Sequence, residues 1–154
     1  MATIIDSLKR FFDEDDWTYS EMEIGDALHL GFSGTDGQWN CYAQAREEPR
    51  QAVFYSVLPI RVPEDRRLAV AEFITRANYG MILGNFELDL SDGEVRFKTS
   101  IDVEGHELEP TLVKHIVYAN VSMMDRYMRG ILAVAHSDAD PGRIVTEIEG
   151  ERPV

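Results

Sequence analysis

PEDRRLAVAEFITRANYGMILGNFELDLSDGEVRFKTSIDV, residues 63–103, is the most legible stretch of this chain and the one on which its fold turns. Pro63 suits the first turn of a helix, where a missing N–H costs nothing, and Glu64 and Asp65 favour the positive helix end beside it. Leu68, Ala71, Phe73, Ile74 and Ala77 predict the buried stripe of that helix, and Gly80 its C-terminal stop. Two strands follow, Leu83–Leu90 and Glu94–Glu104. A two-residue loop at Asp92-Gly93 suits the positive φ angles of a tight hairpin. That loop pairs Leu90 with Val95, Leu88 with Phe97 and Phe86 with Thr99 on one face. On the other it sets Asp89 against Arg96 and Glu87 against Lys98, two pairs of opposite charge.

Upstream the chain alternates. Leu28, Leu30 and Phe32 share one strand face, Gly34-Thr35-Asp36-Gly37 turns, and Trp39, Cys41, Ala43 and Ala45 share a face on the return. With Asp36-Gly37 as a two-residue loop, Phe32 meets Cys41, Leu30 meets Ala43 and Leu28 meets Ala45, while Gly31 lies opposite Tyr42. A second turn at Glu47-Glu48-Pro49-Arg50 leads to a third strand over residues 51–60. Pairing Arg46 with Gln51 sends Phe54, Ser56 and Leu58 to the core. Val53, Tyr55 and Val57 then join Tyr42 on the outer face, an apolar and aromatic patch. Three readings compete for that patch: a cover by the first helix, a dimer seam, or a partner site.

The first helix is marked by a Thr3 cap, by Asp6 near its positive end, and by Ile4, Ile5, Leu8, Phe11 and Phe12 at helical spacing. The acidic run Asp13–Asp16 ends it. Four consecutive acids lack the alternating ligand spacing of a calcium loop, so the run reads as a solvated turn.

Downstream, a long helix begins near Pro110 or Thr111 and runs through YANVSMMDRYM. Its polar strip, Thr111, Lys114, His115, Ser122 and Asp125, is narrow. Ile116, Val117, Ala119, Val121, Met123, Met124 and Tyr127 fill most of the circumference. So wide an apolar arc predicts two packing surfaces, the sheet and something else. Val117, Val121 and Met124 are therefore candidate interface residues beside Tyr42, Val53, Tyr55 and Val57. Gly130 predicts a weak point or kink. Residues 1–138 read as one domain, and residues 139–154 as a turn, a short helix and a polar tail that frays.

Composition narrows the function. The 154 residues carry 15 Lys and Arg against 28 Asp and Glu, a net charge of −13. A field of that sign repels phosphate backbones and anionic lipid, which argues against nucleic-acid and membrane-surface binding and in favour of a protein partner. The single cysteine, Cys41, excludes an internal disulfide, and its strand position points it to the core. A reducing cytoplasm is the simplest setting. No apolar run reaches the roughly 18 residues of a membrane span. His29, His106, His115 and His136 share no ligand spacing, and His106-Glu107 lacks the second histidine of a zinc-protease motif. LDLSDG and FSGTDG end like calcium loops but carry Leu88, Leu90, Phe32 and Gly34 at ligand positions. Phosphate-cradling and dinucleotide fingerprints are missing, so neither a cofactor nor a catalytic residue is expected. Asn120-Val121-Ser122 matches a glycosylation sequon that falls on a predicted helix.

QWNCYAQAREE (38–48), VFYSVLPIRVPEDRRLAVAEFITRANYGMILGNFELDLSDGEVRFKTSIDVEG (53–105) and LVKHIVYANVSMMDRYMRGI (112–131) together resemble the YbjN family of bacterial proteins, often labelled sensory transduction regulators. MRGI stands here where the family pattern has LPGI, so Arg129 replaces a helix-breaking proline. The resemblance implies a fold like that of type III secretion chaperones: α+β, two layers, helices packed on an antiparallel sheet in the order α-β-β-β-α-β-β-α. Those chaperones are small, acidic, dimeric and non-catalytic, and they hold unfolded segments of other proteins. The expectation is a non-enzymatic, cytoplasmic, homodimeric protein that binds another protein in a chaperone-like or regulatory role. The alternative is a small-molecule sensor domain in bacterial signalling, with a pocket between helix and sheet.

Overall fold

The computed structural model describes residues 1–150. Helix α1 (Ile4–Glu14) leads into strands β1 (Tyr19–Glu21), β2 (Ala27–Ser33), β3 (Gln38–Arg46) and β4 (Gln51–Val57). A 3-10 turn (Glu64–Arg66) opens α2 (Arg67–Asn78), followed by β5 (Asn85–Leu88), β6 (Val95–Asp102), α3 (Pro110–His136) and α4 (Pro141–Gly150). The strands form one antiparallel sheet in the order β1-β2-β3-β4-β6-β5. This is the expected α+β order with two additions, the short edge strand β1 and the terminal α4.

Helix α1 forms as its sequence dictates. Thr3 Oγ1 accepts the Asp6 amide at 3.2 Å, and Ile4, Leu8, Phe11 and Phe12 are buried. A second cap comes from the β3–β4 turn: the Glu47 carboxylate accepts the amides of Ile4 and Ile5 at 2.8 and 3.0 Å. Negative charge there complements the helix dipole. Arg50 of the same turn donates to Ala2 O and to His106 O, so one turn fastens both the N-terminus and the β6–α3 link.

The β3–β4 register is the expected one, with Arg46 opposite Gln51 and Tyr42 opposite Tyr55. Both Asp-Gly hairpins differ from expectation by two residues. Phe32 pairs with Trp39, Leu30 with Cys41 and Leu28 with Ala43, which places Gly31 opposite Asn40 and His29 opposite Tyr42. The loop is the four residues 34–37, closed by Gly34 N donating to Gly37 O at 2.8 Å. Its conformation is held from a distance: Asp125 of α3 accepts the Thr35 amide at 2.7 Å and the Thr35 hydroxyl at 3.0 Å.

In the second hairpin Leu88 pairs with Val95, Phe86 with Phe97 and Glu87 with Arg96. Asp89 belongs to the loop, where its carboxylate takes the Ser91 amide and hydroxyl, and Asp92 takes the Glu94 amide. Such Asx contacts favour a longer turn over a two-residue one. Gly93 has φ +82°, and a Cβ there would lie 2.3 Å from Val62 O, so the 58–62 segment docks on a residue that must be glycine. A slip of two preserves which face each side chain occupies, so neighbours change while the faces hold, except that Leu90, expected opposite Val95, leaves the strand and is 56% exposed.

The stripe on α2 is Val70, Phe73, Ile74 and Ala77; Leu68 is 77% exposed and Ala71 only partly covered. The preceding 3-10 turn sets the helical phase from Arg67, rotating Leu68 outward. Helix α3 continues unbroken through Gly130, contrary to the expected kink. Its missing side chain admits Phe73 of α2 and Ile148 of α4, which a Cβ would approach to 2.8 and 3.1 Å. Arg66 receives the end of α3, donating from Nε to Val134 O at 2.8 Å. Helix α4 buries Ile144, Val145 and Ile148 against α2 and α3 and so belongs to the packed structure. The expected polar tail beyond it, residues 151–154, lies outside the described residues.

Candidate functional site

Strand alternation builds the candidate site. Odd-numbered residues of β3 (Trp39, Cys41, Ala43, Ala45) and even-numbered residues of β4 (Ala52, Phe54, Ser56) are buried under the helices. Phe12 of α1 meets Phe54 at 6.2 Å between ring centroids, and α3 reaches β4 and β6 through Asn120, whose Nδ2 donates to Phe54 O and Phe97 O at 2.8 and 3.0 Å. Helix α1 therefore packs on the core face and leaves Tyr42, Val53, Tyr55 and Val57 uncovered, each partly exposed.

On this outer face Tyr42 and Tyr55 are directly opposed, Val53 lies beside Gln44, and Val57 lies between Asn40 and Arg96. The His29 ring lies 5.3 Å from that of Tyr42, and its Nε2 pairs with Asn40 Oδ1 at 3.0 Å. The Arg96 guanidinium sits over the Tyr55 ring at 4.3 Å. Glu87 anchors both cations, at 2.7 Å to Arg96 and 2.9 Å to Lys98. Burial pushes the Glu87 carboxyl up, but the hydrogen bonds from Lys98 and Arg96 outweigh it and hold the group below its ordinary range. The result is an aromatic and aliphatic centre on a rigid sheet, with an ordered ionic border on the β5–β6 side.

Val117, Val121 and Met124 require a correction. They are 0%, 2% and 0% exposed, inside the chain's own core. The second surface that the wide apolar arc of α3 demanded is supplied internally by α1, α2 and α4. Asn120 is likewise fully buried, which removes the sequon from reach of modification in the folded chain.

The thiol of Cys41 is not activated by its surroundings. Burial pushes the Cys41 thiol up to about 11, and its Sγ lies 3.6 Å from Ser56 Oγ, so it behaves as a small apolar side chain. Among the described residues no group of three or more His, Cys, Asp and Glu side chains converges as a metal site. The Asp13–Asp16 run does more than face solvent: Asp13 accepts from the Tyr19 hydroxyl, and Asp15 from Trp17 Nε1 and the Tyr118 hydroxyl.

A second feature escaped the sequence reading. Residues 79–84, taken there as a stop and the start of a strand, form a loop in which Tyr79 is 90%, Ile82 93% and Leu83 53% exposed. The loop borders a cavity of about 410 Å³ against α3. The signal was present: three apolar residues in succession, Met81-Ile82-Leu83, between two glycines are unusual for a solvent loop.

No helix among the described residues is long and apolar enough to cross a membrane. No curated protein matches the chain. The crystal structure of YbjN from E. coli, described as "a putative transcription regulator", is similar at a TM-score of 0.64 with 17% identity, over 86% of this chain and 92% of that one. A chain of the HopA1-SchA chaperone-effector complex is similar at a TM-score of 0.55 with 11% identity, over 80% of this chain and 91% of that one. Both likenesses concern the fold. The model of the YbjN family, described as "Putative bacterial sensory transduction regulator", matches residues 5–133, and the chain belongs to that family.

Proposed function

We propose that this protein is a non-enzymatic, cytoplasmic, homodimeric domain that binds another protein in a chaperone-like or regulatory role. The observation that carries this reading is the open sheet face. Among the described residues the helices that touch the sheet lie on one side, and Tyr42, Val53, Tyr55 and Val57 are left without a cover on the other. Fixed aromatic side chains on rigid strands offer contact area with little conformational entropy to lose. The net charge of −13 favours a partner with basic character. The structural neighbour from a chaperone-effector complex supports a protein partner by analogy of fold.

The test pairs light scattering behind size-exclusion chromatography with a holdase assay on a chemically unfolded client. The wild type is expected to run as a dimer and to delay client aggregation. Y42D combined with Y55D is expected to keep its helical circular dichroism and lose one or both properties. A wild-type monomer that leaves aggregation unchanged overturns the proposal, as does a double variant indistinguishable from wild type.

A further inference from the structure

The cavity beneath residues 79–83 combines apolar walls with one cation and one carboxylate, Arg126 and Glu149. Ala77, Met81, Ala119 and Met123 line it, and its volume of about 410 Å³ falls among small-molecule sites rather than packing defects. Arg126 also lines it. The Arg126 guanidinium stacks over the neighbouring Tyr127 ring at 5.2 Å, and its Nε is buried without a hydrogen-bond partner. Among the described residues no carboxylate forms an ion pair with Arg126. Glu149, which lines the same cavity, accepts the Tyr127 hydroxyl at 2.8 Å. Arg126 itself is half-buried, and a buried Nε donor without an acceptor calls for an explanation, since native structures leave few such groups unpaired. Beside it, Tyr79, Ile82 and Leu83 stand in solvent as a contiguous apolar flap.

These observations describe the complement of one ligand class. We propose that this cavity binds a small aliphatic carboxylate, its anionic head on Arg126 and its chain between Met81, Met123 and the 79–83 loop. A guanidinium matches a carboxylate in charge and in its paired donors. One cation, with the only other charged wall the Glu149 carboxylate already engaged by the Tyr127 hydroxyl, fits a monoanion better than a phosphate dianion. The whole-molecule field of a chain at −13 disfavours anions, so selection of an anion here must come from Arg126 itself. The proposal stands apart from the sheet-face reading, and its test reads residues on the other side of the molecule.

The full chain is titrated with decanoate, decanol and decylammonium below their micelle concentrations, by calorimetry and by amide and methyl NMR shifts. Decanoate is expected to bind saturably, one per chain, at least tenfold tighter than either analogue, with shifts confined to Met81, Ile82, Leu83 and Met123. R126Q is expected to lose tenfold or more in decanoate affinity and to erase the preference over decanol. I82S, at a position 93% exposed where folding is not at stake, is expected to weaken binding severalfold. If R126Q fails to fold, the decanoate-to-decanol ratio and I82S still decide. Absence of saturable decanoate binding overturns the proposal. So does equal binding of decanol, tighter binding of decylammonium, a folded R126Q with unchanged affinity, or shifts that map to Tyr42 and Tyr55.

Discussion

The two faces of the central sheet share one backbone and differ in almost everything else. On the helix-covered face Leu28, Leu30, Cys41, Ala43, Ala52, Phe54, Val95 and Phe97 are at most 1% exposed, with rings meeting edge to face. Even the polar side chains there are satisfied locally: Ser56 Oγ accepts Trp39 Nε1 at 2.9 Å, and Thr99 donates to Ile116 O at 2.7 Å. Among the described residues no helix packs on the opposite face, and contacts run across strands: between rings and cations, from Glu87 to Arg96 and Lys98, from Gln51 to Asp102, and between His29 and Asn40. Strand alternation thus separates two tasks along the same residues. One set of positions packs the core and is intolerant of change; the other carries little of that packing, which is why the proposed recognition is placed there.

The sharpest way to break that contrast is to substitute each face and compare. Phe97→Ala removes a fully buried ring whose centroid lies 4.8 Å from that of Phe86. A loss of about 3–5 kcal/mol is expected, read as a fall in the urea midpoint. Tyr55→Ala, on the directly paired strand but on the bare face, gives up only cross-strand contacts to Tyr42 and Arg96 and is expected to cost about 1 kcal/mol. Comparable losses at the two positions would mean that something covers the outer face in solution.

Asn120→Ala probes the polar link between layers and is expected to cost less. Its Nδ2 serves Phe54 O and Phe97 O, carbonyls of the paired strands β4 and β6, and Thr99 Oγ1, while its own Oδ1 is buried without a partner. Removing the donors gives up three buried hydrogen-bond contacts but also an unsatisfied acceptor. A net loss of about 1–3 kcal/mol follows, with the denaturant slope unchanged. A neutral result would leave α3 held on the sheet by packing and by the Thr99–Ile116 hydrogen bond.

The contrast between faces was legible in the sequence; the contacts across it were less so. A period of two assigned Tyr42, Val53, Tyr55 and Val57 to the outer face, and that assignment survived a two-residue change in register at both Asp-Gly hairpins. Register itself depended on Asp125, about ninety residues from the loop it holds, and on side-chain turns at Asp89 and Asp92. Neither follows from hydrophobic pattern. Val117, Val121 and Met124 show the opposite case. The width of the apolar arc on α3 was plain, but not what covers it, because α4 lay in a segment read as a short helix and fraying tail. Strand β1, three residues with one apolar ring, carried too little pattern to be seen. The flap at Tyr79, Ile82 and Leu83 was visible as composition and was absorbed into a strand that begins only at Asn85.

The smallest effect belongs to the ionic border of the open face, and pH gives it a sign. Glu87 holds Arg96 and Lys98, and these bonds keep its carboxyl below the ordinary glutamate value of 4.5 despite partial burial. A carboxylate whose folded pKa lies below its unfolded one stabilises the fold above the unfolded value. That stabilisation fades as pH falls through the folded value. The pairs are half open to water, with Glu87 31% and Arg96 38% exposed, so only about 0.2–1 kcal/mol is expected at pH 7. Urea denaturation of wild type and Glu87→Gln from pH 7 to pH 3 should show that margin hold to about pH 4.5 and then shrink toward zero. Added salt should narrow it at pH 7. A margin that persists unchanged at pH 3 would assign the effect of Glu87 to packing on the strand, and the border would then be a passive edge rather than a charged frame around Tyr55.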